Sequence, residues 1–163
     1  MLKPVVALLA LAVATPALAA DPVKGEASFR KCKACHSIIG ADGTEVQKGG
    51  KTGPNLFGLV GKPVASDPDF KYGEGILAAK EKGAVWDEAQ LATYLQDPTA
   101  WVKAASGDEG ATSKMTFKLT KAEEAADVAA YLASIGGESS AVGQDGTTAP
   151  ADGQDGAAAP ATE

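Results

Sequence analysis

Apolar positions recur with a helical period in three places along this chain, and turn-forming residues mark the ends of each. The first begins at Asp21-Pro22, an N-cap followed by proline at the first helical position. Gly25, Phe29 and Cys32 then fall on one face at spacings of four and three. Glycine inside a helix costs about 1 kcal/mol relative to alanine, so Gly25 marks either a close crossing by another helix or a glycine tolerated near a frayed terminus. A second helix is predicted from near Asp87, with Leu91, Tyr94 and Leu95 on one side, and it stops at Asp97-Pro98. The last has the clearest signals. Thr120-Lys121-Ala122-Glu123 reads as a capping box. Val128, Tyr131, Leu132 and Ile135 follow as an apolar stripe, and Gly136-Gly137 ends it. The N-terminal helix with Gly25 and Phe29 is the natural partner for that stripe. No convincing period-2 strand is present, and Gly- and Pro-rich stretches, above all Gly40–Pro63, separate the helices. The pattern predicts an all-α domain of three main helices joined by long loops.

Both ends of the chain differ from this middle. Residues 1–19 read as a cleaved signal peptide: Lys3, the compact apolar run Val5–Val13, and Ala17-Leu18-Ala19 as a small-x-small cleavage site. The run is shorter than the roughly 20 residues that span a bilayer, and Pro16 follows it, so the mature protein is not expected to span the membrane. Residues 137–163 carry five acids and no base, lack aromatic residues, and repeat Gly-Gln-Asp-Gly with a later Ala-Pro-Ala. Such a segment has too little to bury to offset its ordering entropy, and a disordered acidic tail is expected. That leaves residues 20–136 as one domain of ordinary size. This core is nearly neutral, so much of the formal charge of −6 belongs to the tail. No basic surfeit suggests a nucleic-acid partner.

The chemistry concentrates in Cys32-Lys33-Ala34-Cys35-His36. Two thiols three residues apart with an imidazole directly after is the spacing of covalent c-type haem attachment. Cys32 and Cys35 are the only cysteines, His36 is the only histidine, and Met115 is the only methionine besides Met1. One haem with His36 and Met115 as axial ligands would use them all. Loops as long as these argue against a compact domain on their own, unless they wrap a large apolar disc. Other readings of Cys-x-x-Cys fit less well. A thioredoxin-like pair needs a βαβ context, a zinc site needs a fourth ligand, and a simple disulfide leaves His36 unexplained.

Further motifs stand in a telling order: Lys51-Thr52-Gly53-Pro54-Asn55-Leu56-Phe57-Gly58, Tyr94-Leu95-Gln96-Asp97-Pro98, Ser113-Lys114-Met115-Thr116-Phe117, and Asp127 to Leu132. With Cys32–His36 they make the chain resemble class I c-type cytochromes, closest to the bacterial cytochrome c2 type, from about Pro22 to Ile135. The resemblance implies a single cytochrome c domain around one haem. It implies that His36 is the proximal iron ligand and donates its other ring N–H to the Pro54 carbonyl, and that Met115 is the distal ligand. It further implies that Tyr94 lies beside the methionine sulfur, and that Tyr72 and Trp86 hydrogen-bond a haem propionate. Two departures stand out. His36 and Met115 are 79 residues apart, with extra length near Ile39–Val46 and Val102–Thr112. Lys62 stands where many relatives place an arginine near a propionate, and lysine cannot make that planar bidentate contact.

Function follows from the ligands. Closed axial positions disfavour catalysis, and a thioether ligand raises the reduction potential. The expectation is a monomeric, non-enzymatic, one-electron shuttle in the bacterial periplasm, since c-type haem is attached outside the cytoplasm. Its expected donor is a bc1-type complex, and its acceptor an oxidase, a photosynthetic reaction centre or a reductase. Lys31, Lys33, Lys51, Lys114 and Lys118 flank the motifs and are expected to ring the haem edge and steer docking. The competing reading is a haem enzyme or small-ligand carrier. It would require Met115 to dissociate, and no second histidine is present for acid–base work.

Overall fold

Asp21 begins the first helix as its sequence suggests. The computed structural model describes residues 19–136, and in it the Asp21 carboxylate accepts from the N–H groups of Val23 at 2.9 Å and Lys24 at 3.3 Å. Helix α1 spans Pro22–Phe29, with proline in its first turn. Beyond Phe29 the chain tightens into turns in which Cys32 N–H meets the Phe29 carbonyl at 2.8 Å and His36 N–H meets the Cys32 carbonyl at 2.9 Å. Cys32 therefore sits just past the helix rather than on its last turn. The expected signal segment (up to residue 18) and the expected tail (137–163) lie outside the described residues.

The described residues hold five helices, two more than the pattern suggested, and one small hairpin. Strands β1 (Ile38–Ile39) and β2 (Glu45–Gln47) pair antiparallel, and strands this short have no readable period. Asp42 shapes the turn between them by accepting from Thr44 N–H at 2.9 Å and from its hydroxyl at 2.8 Å. This hairpin falls where the first stretch of extra length was expected. Helix α2 spans Glu74–Glu81 and begins at Gly73 without a side-chain cap, so its start carries no sequence signal. Helix α3, Glu88–Gln96, is capped by Asp87, which accepts from Gln90 N–H. Helix α4, Pro98–Ser106, follows at once. Asp97-Pro98 both ends α3 and starts α4: the Asp97 carboxylate accepts from Ala100 N–H at 3.1 Å. A stop signal and a start signal coincide there, and reading only the stop hides α4. The helix ends at Gly107, whose φ of 73° is the left-handed cap geometry. The second expected stretch, Val102–Thr112, divides between the end of α4 and the loop after it.

Helix α5 spans Ala122–Ser134. The capping box expected at Thr120 does not form. The N-cap is Lys121, without a side-chain hydrogen bond, and the first turn is supported only by Glu123 and Glu124, acids favourably placed at the positive end of a helix dipole.

Helices α1 and α5 cross as anticipated, and the crossing organises the rest. Gly25 is the contact point: a methyl group there would lie 2.8 Å from the Tyr131 Cβ and collide with the Asp127 carbonyl. Phe29 packs on Tyr131 with ring centroids 5.7 Å apart, and Asp21 N–H donates to the buried Asp127 carboxylate at 2.7 Å. Helix α3 lies against α5, and α4 against α3 and α2. Between them Trp86 stacks on Trp101 at 4.9 Å, and Tyr94 meets both edge-on. Trp86 is held by a short ladder in which Gly61 N–H reaches its carbonyl at 2.7 Å and its own N–H reaches the Lys62 carbonyl at 2.9 Å. Among the described residues no helix is long and apolar enough to cross a membrane.

Overpacking a close helix crossing costs about 1–3 kcal/mol. Gly25→Ala is expected to lower stability by that amount or more in urea denaturation. An unchanged midpoint would mean that the crossing is looser than described.

Candidate functional site

The turns after α1 bring the sequence motif to a fixed place. Cys32 is buried and Cys35 exposed, and the two thiols are not joined to each other. Burial pushes the Cys32 thiol up to about 11, against the opposing pull of Lys31. Among the described residues no three His, Cys, Asp or Glu side chains converge as a metal cluster, which leaves the zinc reading without a ligand set.

His36 has one defined partner. Its Nδ1 lies 2.9 Å from the Pro54 carbonyl oxygen. A carbonyl can only accept, so Nδ1 carries the proton and Nε2 keeps its lone pair. Burial moves the imidazole's pKa below its ordinary value, and the Pro54 contact opposes this only in part. The ring is thus a neutral donor of one nitrogen lone pair, the form a metal binds. Proline suits the accepting position, because its fixed φ steadies the carbonyl. Gly53 packs against the face of the ring: a Cβ there would come within 2.6 Å of His36 Nδ1. The imidazole has almost no freedom to swing.

Met115 lies on the long loop between α4 and α5, partly buried against the core. Ser113 anchors it. The Met115 N–H donates to the Ser113 hydroxyl at 3.2 Å, and that hydroxyl shares a hydrogen bond with the Tyr94 phenol at 3.2 Å. Burial raises the Tyr94 pKa and the Ser113 contact lowers it less, so the phenol stays neutral. Tyr94 is thereby joined to the methionine loop through Ser113. Sequence reading missed this serine, and its only signal was a hydroxyl two residues before the methionine. Downstream, Leu119 N–H donates to the Leu95 carbonyl at 2.8 Å, pinning the loop to α3.

The Tyr72 hydroxyl accepts from Asp67 N–H at 3.3 Å, and burial raises its pKa. Trp86 is buried in the aromatic stack. Leu56, Leu59, Val60 and Ile76 are half-buried apolar side chains against the core, as Met115 is. Two unpaired thiols and an imidazole locked in one tautomer over a glycine make a donor set that fits a covalently held haem. Of the five lysines, Lys31 pairs with Glu124 and Lys118 with Asp97, while Lys114 donates to the Lys71 carbonyl at 2.9 Å. Lys33 and Lys51 form no ion pair among the described residues. A shallow groove of about 500 Å³ between α3 and α4, lined by Gln90, Thr93, Asp97 and Trp101, contains none of the expected site residues.

Known proteins match this chain along its whole core. The family model described as Cytochrome c matches residues 22–136. Cytochrome c2 of Rhodobacter capsulatus is 52% identical over 126 residues, covering 77% of this chain and 90% of the relative. Cytochrome c-550 of Paracoccus denitrificans is 50% identical over 146 residues, covering 87% of this chain and 91% of the relative. The X-ray structure of ferric cytochrome c-550 from Paracoccus versutus superposes with a TM-score of 0.69 at 52% identity, over 72% of this chain and 99% of that one. The chain belongs to the cytochrome c family, as a class I c-type cytochrome of the c2 type that carries one covalently attached haem c.

Proposed function

We propose that this protein is a soluble periplasmic one-electron shuttle, with Cys32 and Cys35 holding the haem covalently and His36 and Met115 as its axial iron ligands. The c2 and c-550 relatives support the general electron-carrier role. The observation that carries the finer reading is the hydrogen bond from His36 Nδ1 to the Pro54 carbonyl, which leaves Nε2 free to bind iron.

The haem supplies the one-electron couple, and the protein's part is to hold its ligands still. His36 is fixed by Pro54 and Gly53, so its position need not change when the charge on the iron does. Met115 is held through Ser113 and Tyr94. As a soft thioether it favours the ferrous state and raises the potential. With both axial positions filled by side chains, oxygen and peroxide find no place to bind. The absence of a second histidine also removes the usual acid–base group of a peroxidase. The protein is therefore read as a carrier and not an enzyme.

Residues 1–19 act as the cleaved export signal in this reading, 20–136 as the working domain and 137–163 as an acidic tail. Tyr72 and Trp86 serve the haem propionates. The donor is a bc1-type complex, and the acceptor an oxidase, reaction centre or reductase. Transient redox contacts bury little area, and charge governs their encounter rate. Lys33 and Lys51 have no acidic partner of their own to give up, whereas Lys31 and Lys118 must first leave theirs.

Bacterial membranes washed free of soluble cytochrome test this directly. Adding the purified protein is expected to restore quinol-driven oxygen consumption, and failure with several membrane types would contradict the shuttle. At low ionic strength, Lys33→Ala and Lys51→Ala are each expected to slow its oxidation several-fold more than Lys31→Ala or Lys118→Ala. The difference should vanish as salt screens the charges. Equal effects from all four would exclude this division of labour.

A further inference from the structure

We infer that Asn55 is a positioning residue for the proximal ligand, its side chain tying the β-hairpin to the peptide unit whose carbonyl receives the His36 proton. This deepens the proposed reading of the site and rests on His36 being an iron ligand.

The segment after Cys32 and the loop from Gly50 to Leu56 run side by side in the same direction. Gly50 N–H meets the Lys33 carbonyl at 2.9 Å, Gly53 N–H the Cys35 carbonyl at 2.8 Å, and Leu56 N–H the Ser37 carbonyl at 3.1 Å. The His36–Pro54 contact at 2.9 Å is one rung of this ladder. Pro54 has no N–H with which to fix itself. Its carbonyl belongs to the peptide plane that joins it to Asn55, so the direction of that oxygen depends on how Asn55 is held.

Asn55 is held by its own side chain. Oδ1 accepts from Ile39 N–H at 2.9 Å, and Nδ2 donates to the Ile39 carbonyl at 2.8 Å. Oδ1 also accepts from Phe57 N–H at 3.2 Å. The pairing with Ile39 uses one donor and one acceptor of the same residue, so the amide fits in only one orientation. Ile39 is the last residue of β1, and its strand is braced through β2. There the Gln47 side-chain amide donates to the Tyr131 hydroxyl at 2.8 Å and to the Glu26 carboxylate at 3.0 Å. A continuous set of bonds thus leads from the α1–α5 crossing, through the hairpin and Asn55, to the Pro54 carbonyl. A hydrogen bond from the outer nitrogen of a metal-bound imidazole raises the basicity of the ligand. Holding the carbonyl well aimed therefore favours ferric iron, and releasing it favours ferrous iron.

The test uses the haem-loaded protein and NMR of isotope-labelled His36 together with redox titration. Asn55→Ala is expected to speed exchange of the His36 Nδ1 proton by roughly tenfold, the consequence of losing bonds of ordinary strength, and to raise the reduction potential. Val102→Ala, a core truncation on α4, serves as the control. It should lower global stability while leaving both readouts in place. Unchanged exchange and potential in Asn55→Ala, with the iron ligands intact, would overturn the inference. Asn55→Asp provides a milder variant should Asn55→Ala fail to fold or to retain haem. It keeps the acceptor for Ile39 and Phe57 but loses the donor to the Ile39 carbonyl. Its exchange rate should rise by less than tenfold, and no rise would equally overturn the role. Ring signals showing that His36 in the unsubstituted protein does not bind iron would instead refute the site reading, which separates the two failures.

Discussion

The hydrogen bond between His36 Nδ1 and the Pro54 carbonyl is the constraint on which the rest of this structure turns. It decides the tautomer of the only histidine, and so decides which nitrogen keeps its lone pair. Such a bond is weak on its own, about 0.5–1.5 kcal/mol net. Its value lies in position. A proline without an N–H, a glycine against the ring, and a parallel ladder on either side leave the imidazole one place to be.

The helices serve this loop geometry rather than the reverse. The α1–α5 crossing at Gly25 fixes where the chain leaves α1, and within a few residues it must deliver Cys32, Cys35 and His36. The aromatic stack of Trp86, Tyr94 and Trp101 fixes α3 and α4 on the other side, and Tyr94 passes that rigidity to the methionine loop through Ser113. His36 and Met115 are thus anchored by different parts of the fold. Neither relies on a long side chain reaching out unsupported. A carrier that accepts and gives up electrons with little rearrangement needs that kind of support on both sides.

The family and its covalent haem were far more legible in the sequence than the helix count. Covalent haem attachment demands a fixed spacing of particular atoms, so Cys32–His36 announces itself, and Met115 is conspicuous as the only methionine besides Met1. Helices α1, α3 and α5 were readable because capping or an apolar stripe marked them. Helix α2 escaped because Gly73 offers no cap and eight residues are too few for a clear period. Helix α4 escaped because Asp97-Pro98 serves two helices at once. The capping box at Thr120 misled for a different reason: the residues fit, but the backbone enters α5 one residue later. Asn55 and Ser113 act through backbone groups far away in sequence, and no local pattern signals such partners. Family resemblance supplied the Pro54 contact, which the geometry reproduces at 2.9 Å.

The most direct measurement is the visible spectrum of the purified protein, first oxidised, then reduced, then reduced under carbon monoxide. A closed site with His36 and Met115 on the iron should show the weak far-red band of a sulfur–iron bond when oxidised, and a reduced spectrum indifferent to carbon monoxide. Absence of that band together with carbon monoxide binding would mean an open iron, and would contradict the reading of this protein as an electron carrier with two fixed ligands.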